Sequence, residues 1–91
     1  MSAPLKIQHL RQFLLAADHG SFRMAAEGTF RSQAAVSAAM QDLERELGAP
    51  LFERGGRAQL TPLGIAVAPL FRELLSTHDR VLDAARQFGL G

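Results

Sequence analysis

Apolar positions recur at helical spacing through most of this chain. Ile7, Leu10, Phe13, Leu14 and Ala17 fall on one stripe and predict a first helix from about Ile7 to Asp18. Gly20 ends it, because glycine takes the left-handed backbone that closes a helix at little cost. Ser21 then offers its hydroxyl to the free amides of a short second helix reaching Gly28, with Phe22, Ala25 and Ala26 facing inward. The small Ala25-Ala26 pair lets a neighbouring helix come close. Gly28 through Arg31 form a turn. Ser32 caps a third helix, which runs to about Leu47 and stops at Gly48. Val36, Met40, Leu43 and Leu47, at spacings of four, three and four, mark its buried face. Gln33, Ala34, Ser37, Ala38, Gln41 and Arg45 lie on the other side.

Two short helices joined by a tight turn, the second led by Ser32, Gln33 and Ala34, describe a helix-turn-helix, whose second helix enters the DNA major groove. Leu51-Phe52-Glu53-Arg54 and Arg57-Ala58-Gln59-Leu60 flank Gly55-Gly56 and predict a small β-hairpin with a two-residue turn, which in this setting is a wing. Thr61 as cap and Pro62 at the first helical position start a last helix of about 26 residues, reaching Phe88. Leu63, Val67, Leu70, Leu74, Thr77, Val81, Ala84 and Phe88 alternate at spacings of four and three, and Phe71, Leu75 and Leu82 broaden that stripe. A head of roughly 60 residues cannot cover so much apolar surface, so the helix is expected to pack partly on the head and partly on another chain. Leu63, Val67, Leu70, Leu74, Val81 and Phe88 are the expected dimer seam, with Thr77 and His78 as candidates for setting its register. Pro69 is expected to bend this helix or open one backbone hydrogen bond. The fold class is thus mainly α: a winged helix-turn-helix head over 1–61 and a linker helix over 62–91.

Composition narrows the function more than the fold. The 91 residues allow one domain, and the 47% apolar content is that of an ordinary globular protein. No cysteine is present, so disulfides and thiolate metal sites are excluded. No apolar run approaches the roughly 18 residues of a membrane span. Met1-Ser2-Ala3-Pro4-Leu5-Lys6 lacks the basic-then-apolar order of a leader. These features suit a cytoplasmic protein. Ten basic against nine acidic residues leave a net charge of +1, so affinity for nucleic acid must come from where charge is placed. Arg54 and Arg57 flank Gly55-Gly56 with no acid between Glu53 and Glu73, whereas Asp42, Glu44 and Glu46 crowd the back of the third helix.

The chemistry of the exposed positions follows from residue type. The Gln33 amide donates and accepts at once, matching adenine N6 and N7 in the major groove. At the helix front it also lies beside free backbone amides that suit phosphate. Ser32 and Ser37 carry hydroxyls for phosphates or base edges, with capping as an equal role for Ser32. Ala34 and Ala38 fit thymine methyl groups, though Ala38 serves equally as a helix former. Gln41 reaches a phosphate or a base. Arg57 and Arg54 are backbone or minor-groove candidates, with Glu53 and the third-helix acids as competing partners for Arg54. Arg31, Arg23 and Ser21 complete the DNA-facing set, and Lys6 is a weaker candidate. Asp18, His19 and Ser21 are hydrolase residue types, but adjacent positions at a helix boundary cannot build a triad. No glycine-rich phosphate loop, paired carboxylates or metal-ligand spacing is present, so no enzyme activity and no cofactor or metal are expected. The competing class is a protein-interaction module, favoured by the alanine-rich, acid-backed third helix.

Short segments of the chain, in order, resemble the N-terminal DNA-binding domain of LysR-type transcriptional regulators. They are Leu10-Arg11-Gln12-Phe13, Gly20-Ser21-Phe22, Ala25-Ala26-Glu27, Ser32-Gln33, Ala35-Val36-Ser37, Leu43-Glu44, Glu46-Leu47-Gly48, Pro50-Leu51-Phe52-Glu53-Arg54, and Leu60-Thr61-Pro62 with Gly64 and Pro69. The resemblance covers essentially the whole chain. It implies a winged head on a linker helix, with paired linker helices holding two heads on an interrupted palindromic DNA operator. It also implies a homodimer, with higher oligomers in the full-length protein. The family usually adds an inducer-binding domain, so this chain reads as the DNA-binding part of a longer regulator. Departures are Thr29 where leucine is common, Arg31 where an aliphatic residue is common, Ala34 in place of proline or serine, and uncharged Ala38 and Gln41 at often basic positions. Phe30 is expected to fill the gap that Arg31 leaves.

Overall fold

The computed structural model describes residues 5–89. Met1 to Pro4, Leu90 and Gly91 lie outside the described residues, and with them most of the leader reading and the outer limits of the two expected segments. Four helices follow one another: α1 (Ile7–His19), α2 (Phe22–Thr29), α3 (Gln33–Leu47) and α4 (Pro62–Gln87).

Most boundaries have a local cause. Gly20 is left-handed, with its N–H donated to the Ala16 carbonyl. The Ser21 hydroxyl accepts from the Met24 amide at 3.2 Å, and the Ser32 hydroxyl accepts from the Ala35 amide at 3.0 Å. Gly48 closes α3 in the same left-handed way, donating to the Glu44 carbonyl at 2.8 Å. Thr61 begins α4 twice over: its hydroxyl accepts from the Gly64 amide at 3.1 Å and donates to the Pro50 carbonyl at 2.8 Å.

α2 runs one residue beyond the expected Gly28. The turn therefore contracts to Phe30 and Arg31, and Thr29 secures the last helical turn by donating to the Ala25 carbonyl at 2.8 Å. Phe30 does not fill the place of an aliphatic residue. It is left-handed (φ 55°), its N–H points back to α2, and its side chain is 95% exposed.

The expected hairpin is also corrected. Among the described residues there are no strands; one antiparallel bridge joins Phe52 to Leu60. A two-residue Gly55-Gly56 turn would set Phe52 opposite Gln59, pairing an apolar side chain with a polar one. The observed register sets Phe52 opposite Leu60 instead, since directly opposed residues share a face. The extra residue opens the tip into a loop. Its neck is held by the Glu53 amide on the Gln59 carbonyl at 2.7 Å and the Thr61 amide on the Leu51 carbonyl at 3.0 Å.

The core joins α1, α2, α3, the base of this loop and the first half of α4. Phe13 has no exposed surface, and its ring lies 5.3 Å from both Phe52 and Phe71. Phe22 meets Phe52 edge-on at 4.9 Å. α4 presents Gly64, Ala68, Phe71 and Leu75 to the head. It continues through Pro69, whose missing N–H leaves the Ile65 carbonyl without its helical donor. Two ion pairs tie α4 to α1, Arg72 with Asp18 and Arg11 with Asp79, the latter at 2.9 Å.

Gly64 is the tightest junction. A Cβ there would overlap the Leu51 carbonyl oxygen and lie 2.9 Å from a Leu60 methyl. Gly64→Ala should therefore lower stability by about 1–3 kcal/mol through overpacking. Gly28→Ala brings a Cβ to 3.1 Å from a methyl of the partly buried Leu15, so the gain in helix propensity is offset by crowding and stability should change by less than about 1 kcal/mol. Denaturant unfolding would show a clear fall in midpoint for Gly64→Ala and little change for Gly28→Ala.

Candidate nucleic-acid interface

α3 is sorted cleanly into two faces. Val36, Ala39, Met40 and Leu43 are buried, whereas Ser32, Gln33, Ala34, Ser37, Ala38, Gln41 and Arg45 are exposed. The amide- and methyl-bearing side thus faces water along three turns, with few charges on it. Arg31 is exposed just ahead of the helix, and Arg23 is exposed at the second position of α2. Ser21 is half-buried and already accepts a backbone hydrogen bond, so its hydroxyl is engaged in capping. Arg54 and Arg57 stand exposed at the loop beyond the Phe52–Leu60 bridge, with no ion pair among the described residues. Glu53 therefore does not hold Arg54.

Two of the three acids behind α3 have local work. Asp42 pairs with Arg45 on its own helix. The Glu44 carboxylate accepts the Leu51 amide at 2.8 Å and anchors the base of the loop. The acidic backing that favoured an interaction surface is thus partly consumed in holding the fold. Asp18 and Ser21 are likewise occupied, by Arg72 and by the Met24 amide, and do not converge with His19 on a catalytic arrangement.

A feature that sequence reasoning missed lies between α1 and α3. Gln12 is buried at 3% exposure, and its Oε1 has no hydrogen-bond partner. It lines an open cleft with Lys6, His9, Arg31, Ala38 and Asp42. Burial, then the nearby Lys6 charge, hold His9 below the ordinary imidazole range, against the pull of Asp42. The available signal was Ala16, one helical turn beyond Gln12: together they extend the buried arc of α1 past the five-residue stripe.

The expected seam on α4 divides. Leu63 and Val67 pack against the head, whereas Leu70, Leu74, Val81 and Phe88 are exposed. Ile65 and Leu82 are exposed beside them. Thr77 accepts from Arg80 at 3.1 Å, and His78 lies 3.2 Å from Asp79. Among the described residues no cluster of side chains suited to a metal is present, and no helix is long and apolar enough to cross a membrane.

Residues 7–65 match the family model described as bacterial regulatory helix-turn-helix protein, lysR family. The chain is 45% identical over 74 residues, 80% of its length, to a probable RuBisCO transcriptional regulator of Nostoc sp. strain PCC 7120, of which it spans 22%. A LysR family transcriptional regulator of known structure superposes with a TM-score of 0.90 at 33% identity, over 99% of this chain and 31% of that one. The BenM DNA-binding domain bound to benA site 1 DNA superposes with a TM-score of 0.84 at 33% identity, over 92% of this chain and 99% of that one.

The α1–α4 ion pair carries a pH signature. The hydrogen bond from Arg72, reinforced by its charge, holds the Asp18 carboxyl below its ordinary value of 3.8, against a smaller effect of burial. Its contribution to stability is complete above that value and is lost as pH falls through the lowered one. Because both groups are about half exposed, the pair is worth under about 1 kcal/mol. Asp18→Asn should remove this part of the acid dependence and leave a small constant loss near neutral pH, measured by thermal unfolding across the acid range.

Proposed function

The chain belongs to the lysR family of bacterial regulatory helix-turn-helix proteins, and from that membership we propose that it binds double-stranded DNA sequence-specifically, as a dimer, to control transcription in the cytoplasm. The observation that carries this reading is the sorting of α3, with Val36 and Met40 inward and Gln33, Ala34, Ser37, Ala38 and Gln41 outward. α3 lies in the major groove. Gln33 reads an adenine edge, Ala34 and Ala38 meet thymine methyls, and Ser32, Ser37 and Gln41 reach base edges or phosphates. Arg54 and Arg57 lie along the backbone on the loop side, and Arg23, Arg31 and the α2 front near Ser21 hold further phosphates. The DNA complex of the BenM domain supports this assignment, since almost all of that domain superposes on this chain.

The head over 1–61 reads DNA, and the helix over 62–91 joins two heads. Leu70, Leu74, Val81 and Phe88 form the joint between chains, because each is a large apolar side chain left in water by the head. Leu63 and Val67 serve the head as much as the seam. Two heads then meet half-sites spaced by roughly 34 Å, one helical turn, or a multiple of it. An interaction module without DNA binding is the less favoured reading, since two of the three acids behind α3, Asp42 and Glu44, are engaged internally. No step calls for a cofactor.

Selection from randomised duplexes should return a defined site. Gln33→Ala should then lose about 1–3 kcal/mol of discrimination against a single base change while keeping general affinity. A wild-type protein that selects no duplex would overturn the reading. For the joint, Leu74→Lys with Val81→Lys should shift the sedimenting species from dimer to monomer and leave the head's melting unchanged.

A further inference from the structure

We propose that the cleft between α1 and α3 is a second phosphate seat, in which Gln12 positions Arg31 on one backbone phosphate of the bound duplex. This rests on the DNA-binding reading above and adds to it a residue buried in the head.

The cleft is a groove of about 380 Å³, room for a phosphate group and several waters. Its cations are Lys6 and Arg31, and neither has an ion pair among the described residues. Its carboxylate, Asp42, is drawn onto Arg45. Its inner wall carries Gln12, whose buried Oε1 is an acceptor without a donor. An orphaned acceptor calls for an N–H, not for an anion. Arg31 supplies one, because five N–H groups in a planar fork can serve the Gln12 oxygen and two phosphate oxygens together. The phosphate draws the guanidinium inward, and Gln12 fixes its angle.

Position favours a backbone phosphate over a free one. The Ala38–Asp42 edge of α3 borders this cleft, whereas the Gln41–Glu44 edge borders the segment leading to the Arg54 loop. A helix in the major groove has a phosphate wall on each side. Arg54 and Arg57 reach one wall, and the cleft faces the other.

The test uses the selected duplex and its dissociation constant over a range of salt. Arg31→Ala should lower affinity about tenfold and reduce the salt slope by about 0.9. Gln12→Met, which fills the same space without the orphan acceptor, should melt no lower than wild type yet lose affinity several-fold. The double variant should be no weaker than Arg31→Ala alone, because Gln12 acts through Arg31. Replacing duplex phosphates singly by methylphosphonates should find one linkage that matters to wild type and not to Arg31→Ala. Unchanged binding by Gln12→Met, or additive losses in the double variant, would overturn the proposal while wild-type binding upholds the parent reading. Inorganic phosphate that shifts the Gln12 side-chain amide resonances and displaces no duplex would assign the seat to a free anion, and would overturn it equally.

Discussion

The ring of Phe13 is the point on which the separate pieces of this small protein converge. It sits on the first helix without exposed surface, and it touches Phe52 from the loop base and Phe71 from the last helix. Phe22 closes the group from the second helix. Aromatic pairs set edge to face add orientation to burial, because ring faces and edges carry opposite partial charge. A chain under 100 residues has little other core to call on. The loop base and the last helix are therefore fixed to the first helix through one ring, while Val36, Ala39, Met40 and Leu43 seat α3 in the same core.

Local pairing explains how a nearly neutral chain keeps cations exposed beside the face proposed to read DNA. The acids of α3 do not dilute the few cations at random. Asp42 is turned along the helix to Arg45, and Glu44 is turned back to the Leu51 amide. Arg31, Arg54 and Arg57 are left facing outward. Net charge is a poor guide here because each charge acts over little more than a Debye length, about 8 Å at physiological salt.

Much of this was legible in the amino-acid order, for identifiable reasons. Ser21, Ser32 and Thr61 announced three helix starts, and Gly20 and Gly48 announced two ends, because capping is a local event. The two faces of α3 followed from spacing alone, and with them the exposed candidates Gln33, Ser37 and Gln41. What the order did not reveal was decided by tertiary packing. Gly55-Gly56 favours a two-residue turn, but the pairing of Phe52 with Leu60 overrode it. Phe30 reads as core by residue type, yet the left-handed end of α2 turns it outward. Gln12 is polar by type, yet it is buried on α1. The spacing of the α4 stripe does not say which members meet the head; packing shows that Leu63 and Val67 do.

The attachment of α4 also makes its far end a lever. Gly64, Phe71, Arg72 and Asp79 tie the helix to the head along its inner face, and every described residue beyond Asp79 is exposed. A rise of about 1.5 Å per residue sets Gln87 roughly 35 Å from Gly64. Because these ties make head and helix one body, a tilt of the head by about 5° would swing that far end by roughly 3 Å. A slight change in how the head is seated would thereby be magnified into a larger change of position at the exposed end of the helix.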